Sequence, residues 1–90
     1  MSSSMPRTAD RIVDVRFEDA RLVVDFLDGR NLAVPLALFP VILHATPDER
    51  AKWEISAAGF GIHWPTLDED LSAIGLLQGR PSVQRRPLAA

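Results

Sequence analysis

The stretch Leu22-Val23-Val24-Asp25-Phe26-Leu27-Asp28-Gly29-Arg30-Asn31-Leu32-Ala33-Val34 decides the fold. Leu22, Val24 and Phe26 alternate with Val23 and Asp25, the period-two pattern of a strand with one buried face. Asp28-Gly29 follows at once, a strong short-range hairpin signal that predicts a type I′ turn, because such turns need positive φ at both central residues. Asn31-Leu32-Ala33-Val34 supplies the returning strand. Upstream, Ile12, Val13, Val15 and Phe17 are interleaved with Asp14 and Arg16, and Glu18-Asp19 reads as a turn. Three strands joined by short turns make an antiparallel meander.

Downstream the pattern changes. Pro35 ends the sheet, and residues 36–44 are apolar nearly all round, with Leu36, Leu38, Phe39, Val41, Ile42 and Leu43. Such a segment belongs under cover. Pro40 suits the first position of a short helical turn, where its missing N–H has no partner to lose. Thr46 with Glu49 three residues on is a capping box, Pro47 sits at the first helical position, and a helix over residues 47–53 is predicted. Residues 54–56 and 61–64 read as two short strands around the turn Ala57-Ala58-Gly59-Phe60, with Ile62 and Trp64 on one side. Thr66 and Glu69 repeat the capping-box spacing, with Asp68 and Asp70 near the helix start, where the dipole favours acids. Leu71, Ile74 and Leu77 then share one helical face, closed by Gly79. The class is α+β: an antiparallel β-meander of three strands, short helices, a further β-hairpin or strand, and a C-terminal helix. Residues 1–10 are expected as a disordered leader, 11–79 as one domain and 80–90 as a flexible basic tail.

Ninety residues, 47% hydrophobic and 24% charged, allow one globular domain with a thin core. With no cysteine, disulfides and thiolate metal sites are excluded. Packing and self-association are left as supports, so a homodimer is expected. Apolar runs stop at about five residues, against roughly 18 for a membrane span, and the first residues lack the apolar stretch of a signal peptide. A cytoplasmic location follows as the expectation. Residues 11–79 hold six basic and eleven acidic side chains, a balance of −5, while Arg80, Arg85 and Arg86 give the tail +3. An acidic body argues against nucleic-acid binding by the folded part, because phosphates need clustered cations.

A wider set of residues carries a resemblance. Pro35-Leu36, Phe39-Pro40, Ala45-Thr46-Pro47-Asp48-Glu49-Arg50, Trp53-Glu54 and the segment 59–62 run in order. Trp64-Pro65, Leu67-Asp68-Glu69-Asp70-Leu71 and Leu76-Leu77 before Gly79 complete the series. With the Asp28-Gly29 hairpin, the chain over roughly residues 11–80 closely resembles a family of short bacterial proteins catalogued as domain of unknown function 2442. The resemblance implies a small α+β protein with no attributed catalytic residue. It also implies a possible small protein partner encoded nearby, since members often lie in operons beside another short protein, an arrangement similar to toxin–antitoxin pairs. Other members are joined to a helix-turn-helix segment; the residues after Gly79 are too few to hold one.

Each candidate constellation has a plain alternative. His63 with Asp68, Glu69 and Asp70 fits a metal site or a carboxylate-oriented base, or else an exposed strand histidine followed by an acidic helix start. A zinc site wants three or four close ligands, and only His44 is left to help. Ser56 and Ser72 have no evident histidine partner, and no nucleophile elbow or phosphate loop occurs. No catalytic residue, metal or cofactor is therefore assigned, and the protein is expected not to be an enzyme. Trp53, Phe60, Trp64 and Phe39 either pack the core or anchor a partner. Trp64, beside Pro65 near a chain reversal, is expected to be partly exposed. The candidate partner contacts are Trp64, Leu38, Ile42 and Trp53. Arg80, Arg85 and Arg86 are the candidate nucleic-acid contacts, with a loosely solvated tail as the alternative.

Overall fold

The structure, a computed structural model, describes residues 7–79. Two three-stranded antiparallel sheets follow one another along the chain. The first comprises β1 (Ile12–Glu18), β2 (Arg21–Phe26) and β3 (Asn31–Pro35) in that order. The second comprises β4 (Glu54–Ser56), β5 (Gly61–Trp64) and β6 (Glu69–Ser72). Between them lie a 3-10 turn (Leu36–Leu38) and two single-turn helices, α1 (Pro40–Leu43) and α2 (Pro47–Arg50); α3 (Ala73–Leu77) closes the described chain. The α+β class and the opening meander are as the alternation dictates.

Register explains the burial. Val15, Val24 and Leu32 stand in one row across the first sheet, and Phe17, Leu22 and Val34 in the next. These side chains share the inner face, since residues directly opposite in a sheet point the same way. β1 carries one irregularity: its pairing shifts between Ile12 and Asp14, leaving Val13 as an extra residue. The extra residue is a β-bulge, and it lets Ile12 and Val15 both reach the core three positions apart. In the second sheet Ile62 and Trp64 point inward and are fully buried, with Leu71 beside Ile62. Leu36, Phe39, Ile42, Ala73 and Leu76 fill the rest of a single cluster built from both sheets and the helical segments.

Several local readings are corrected. The β2–β3 connection is not type I′. Leu27 and Asp28 keep negative φ and only Gly29 is left-handed, at +94°, while the Gly29 N–H donates to the Phe26 carbonyl at 3.0 Å. That is a three-residue loop, a type I turn followed by a left-handed glycine. α2 has the predicted capping box, with Glu49 N to Thr46 Oγ1 at 3.1 Å and Thr46 N to Glu49 Oε1 at 2.9 Å, but it ends at Arg50 rather than near Trp53.

The second capping box does not form. After Trp64 the chain reverses through Pro65–Asp68, with Asp68 left-handed at 52°, and Glu69–Ser72 returns as a strand paired to β5. Glu69 and Leu71 are buried while Asp70 and Ser72 are exposed, so period two wins over period 3.6 here. The helix starts later, capped by the Ser72 hydroxyl, which accepts from Gly75 N at 2.9 Å.

Residues 8–10, placed by the sequence reading in a disordered leader, form a 3-10 turn, and Asp10 is buried. Arg50 ties the middle of the chain together. Its Nε donates to the Ile42 carbonyl at 2.9 Å and its guanidinium to the Leu43 carbonyl at 2.7 Å, satisfying the open end of α1. Its own carbonyl accepts from Trp64 Nε1 at 3.0 Å. One residue of α2 thereby links α1 to the second sheet.

Candidate functional site

The acidic cluster around His63 is divided by the strand that carries it. On the outer face of the second sheet, Glu54, His63 and Asp70 form one row across three strands. His63 Nδ1 lies 2.7 Å from Asp70 Oδ1. With the proton on Nδ1 the imidazole donates to the carboxylate and leaves Nε2 as an acceptor facing out. Glu69, next in sequence, points to the opposite face, where it is buried beside Trp64. Asp68 belongs to the turn, and His44 caps the end of α1 elsewhere. The four residues singled out are thus not one group, and among the described residues no three His, Asp or Glu side chains are arranged to hold a metal ion. A histidine oriented by a carboxylate can act as a base, but the two serines offer it no nucleophile. Ser72 is committed to the cap of α3, and Ser56 sits in the neighbouring row, packed against Gly61.

The expected partner contacts divide in two. Trp64 is fully buried, which corrects its expected exposure: it fills the core with its ring, and its one polar atom is satisfied by the Arg50 carbonyl. Ile42 is likewise fully buried and cannot touch a partner without unfolding α1. Leu38 and Trp53 are half-buried and pack against the core from its margin. Arg80, Arg85 and Arg86 lie outside the described residues.

The exposed large hydrophobic side chains are others: Val13 at 53%, Leu27 at 52%, Val41 at 38% and Ile55 at 37%. Leu27 N donates to the Arg11 carbonyl at 2.8 Å, extending the β1–β2 pairing by one step. Leu27 and the bulged Val13 therefore stand at the same end of the first sheet, and both are exposed. Beside them the stem of Arg11 lies against the Gly59 backbone, and its guanidinium sits 5.5 Å from the centre of the Phe60 ring. That turn is left-handed at three successive residues, Ala57 (52°), Ala58 (57°) and Gly59 (100°). Two alanines held there cost about 1 kcal/mol or more each, which only firm surroundings sustain. The sequence did carry a signal for Val13: two adjacent apolar residues, Ile12-Val13, interrupt strict alternation.

Electrostatics fasten the amino-terminal turn to the first hairpin. Arg30 pairs with Asp10 and with Asp28, the latter at 2.7 Å, and lies 5.4 Å from the centre of the Phe26 ring. The hydrogen bond from Arg30 holds the Asp10 carboxyl below its ordinary 3.8. Asp28 is lowered too, first by the backbone N–H of Arg30 and then by its guanidinium. The folded chain therefore binds these protons less readily than the unfolded chain. Their stabilisation is complete above the unfolded value and is lost as pH falls through the lowered folded values. Urea midpoints are expected to fall as pH drops below about 4, and to fall less in Asp10→Asn. Identical losses in the two proteins would show that this pair contributes nothing.

Three comparisons place the chain. The profile of the family described as "Protein of unknown function (DUF2442)" matches residues 12–82. The chain belongs to this family. A crystal structure of a protein of unknown function from Rhodospirillum rubrum is 36% identical to this DUF2442 chain, with a TM-score of 0.72, covering 82% of this chain and 92% of that one. A solution structure of an uncharacterized protein from Chromobacterium violaceum is 30% identical, with a TM-score of 0.71, covering 89% of this chain and 79% of that one. No curated protein matches the DUF2442 chain. Among the described residues no helix is long and apolar enough to cross a membrane.

Proposed function

We propose that this DUF2442 protein is a cytoplasmic protein-interaction module, a regulatory and antitoxin-like component that acts by binding rather than by catalysis. The observation that supports this most is the pair Val13 and Leu27. Each is more than half exposed on one end of a well-packed sheet, beside a left-handed turn held in a costly conformation. Two large apolar side chains left exposed at one end of a sheet suit a protein contact. By contrast, the one oriented histidine sits on an open strand row with no nucleophile beside it.

The test is a tagged pull-down of the full chain from its host at moderate salt, run beside a Val13→Asp/Leu27→Asp variant. One stoichiometric protein that is captured by the parent and lost by the variant supports the reading. A partner retained by the variant removes this surface from it. Nucleic acid recovered instead, and lost on deletion of residues 80–90, would favour the alternative of a transcriptional regulator working through Arg80, Arg85 and Arg86.

A further inference from the structure

The hydrogen-bond pattern of the first sheet fixes which backbone groups of β3 face outward. Phe26 N donates to the Arg30 carbonyl at 2.8 Å, and Leu36 N donates to the Ala20 carbonyl at 2.9 Å. Antiparallel pairs alternate between bonded and non-bonded positions. Leu32 and Val34 therefore spend their backbone groups on β2, while Asn31, Ala33 and Pro35 turn theirs to the open edge. The missing N–H of Pro35 falls on an outward position and costs the sheet no ladder bond.

Among the described residues β1, β3, β4 and β6 are edge strands. β1 carries the Val13 bulge and the charges Asp14, Arg16 and Glu18, devices that blunt an edge. β6 carries Glu69 and Asp70, and β4 is only three residues long with Glu54 among them. β3, Asn31-Leu32-Ala33-Val34-Pro35, has five residues and no charge, and Pro35 at its end is its only blunting residue. With −5 carried over residues 11–79, an uncharged strand is the edge along which two copies meet with least like-charge repulsion.

We propose that β3 pairs antiparallel with β3 of a second copy, about a two-fold axis through Ala33, to give a continuous six-stranded sheet. This rests on the reading that the protein works through contacts between chains and names one of those chains. In this register Ala33 exchanges both backbone bonds with its counterpart. Asn31 N–H donates to the Pro35 carbonyl of the other copy, and Leu32 faces Val34 on the core side. Sliding the register by two residues one way sets Val34 against Arg30. Sliding it the other way carries β3 into the 3-10 turn that follows Pro35. The pairing is isologous, so the assembly closes at two.

The cysteine-free sequence gives a direct test. Hydrogen-bonded antiparallel partners have Cα atoms about 5.5 Å apart, inside the range a disulfide accepts. The purified full-length Ala33→Cys variant is expected to cross-link to itself under mild oxidation, while Ser56→Cys on β4 is not. In sedimentation, the parent is expected at twice the 9.9 kDa chain mass. Ala33→Lys, which sets two cations face to face on the axis without touching a β2 bond, is expected at the chain mass with an unchanged circular dichroism spectrum. A monomeric parent, or a dimer that survives Ala33→Lys and gives no cross-link through Ala33→Cys, overturns the proposal. Because only purified protein is used, failure here is separable from failure to capture a host partner.

Discussion

Trp64→Ala is expected to remove most of the stability of the domain. The ring is the largest fully buried side chain and belongs to the cluster that both sheets share. Truncations of this kind cost about 3–5 kcal/mol, the lost transfer energy plus the cavity left behind. A domain of this size without disulfides rarely has more than about 3–5 kcal/mol to lose. The indole also donates to the Arg50 carbonyl, so the truncation leaves that acceptor unpaired at the joint where α2 meets α1. Trp64→Phe keeps an aromatic ring in the core but loses the bond and part of the buried volume, and is expected to cost less than the alanine variant, about 1–3 kcal/mol. Urea unfolding followed by circular dichroism measures both. A parent-like midpoint for Trp64→Ala would refute the burial assigned to this ring.

Ile42→Asp is expected to unfold the protein rather than to separate subunits. Ile42 has no exposed surface, and the Arg50 guanidinium would have to leave the Ile42 and Leu43 carbonyls to meet a carboxylate placed there. An uncompensated buried charge costs several kcal/mol, about 4 or more. Leu38→Asp, four residues earlier on the margin of the same segment, is expected to cost only about 1–2 kcal/mol, since part of that side chain already meets water. The pair of variants is read by circular dichroism before any mass measurement. If Ile42→Asp keeps a folded spectrum and changes only the assembly, Ile42 is an interface residue and its burial within one chain is wrong.

These two residues also show what was legible in the sequence. Residues 36–44 announced themselves as covered, and Leu36, Phe39 and Ile42 are while Val41 is not, but composition does not say whether the cover is the chain's own sheets or a second molecule. Trp64 beside Pro65 invited an exposed reading, because a proline-linked turn sits at the surface. The turn is there, yet the strand alternation one residue earlier sends the indole inward. Thr66 and Glu69 had the spacing of a cap, and the local signal was outvoted by pairing with β5, which gives Glu69 and Leu71 a buried face. The meander, the hairpin at 54–64 and the first capping box were readable because each depends on residues close in sequence. The Arg50 clasp and the Asp10–Arg30 pair were not, since each joins elements whose approach is set by packing. His63 and Asp70 were singled out together and do meet, but across strands rather than along a helix.

Every strand among the described residues pairs with a neighbour in sequence, β1 with β2 and β2 with β3, then β4 with β5 and β5 with β6. That arrangement bears on how quickly the chain reaches its structure. Each sheet can zip from its own tight turn without closing a long loop, and chains with such local pairing fold faster than sandwiches or barrels whose strands come from distant segments. The one long-distance event left is the docking of the two meanders around Trp64, Phe39 and Ile42, so substitutions that weaken this seam slow folding to the extent that docking defines the transition state.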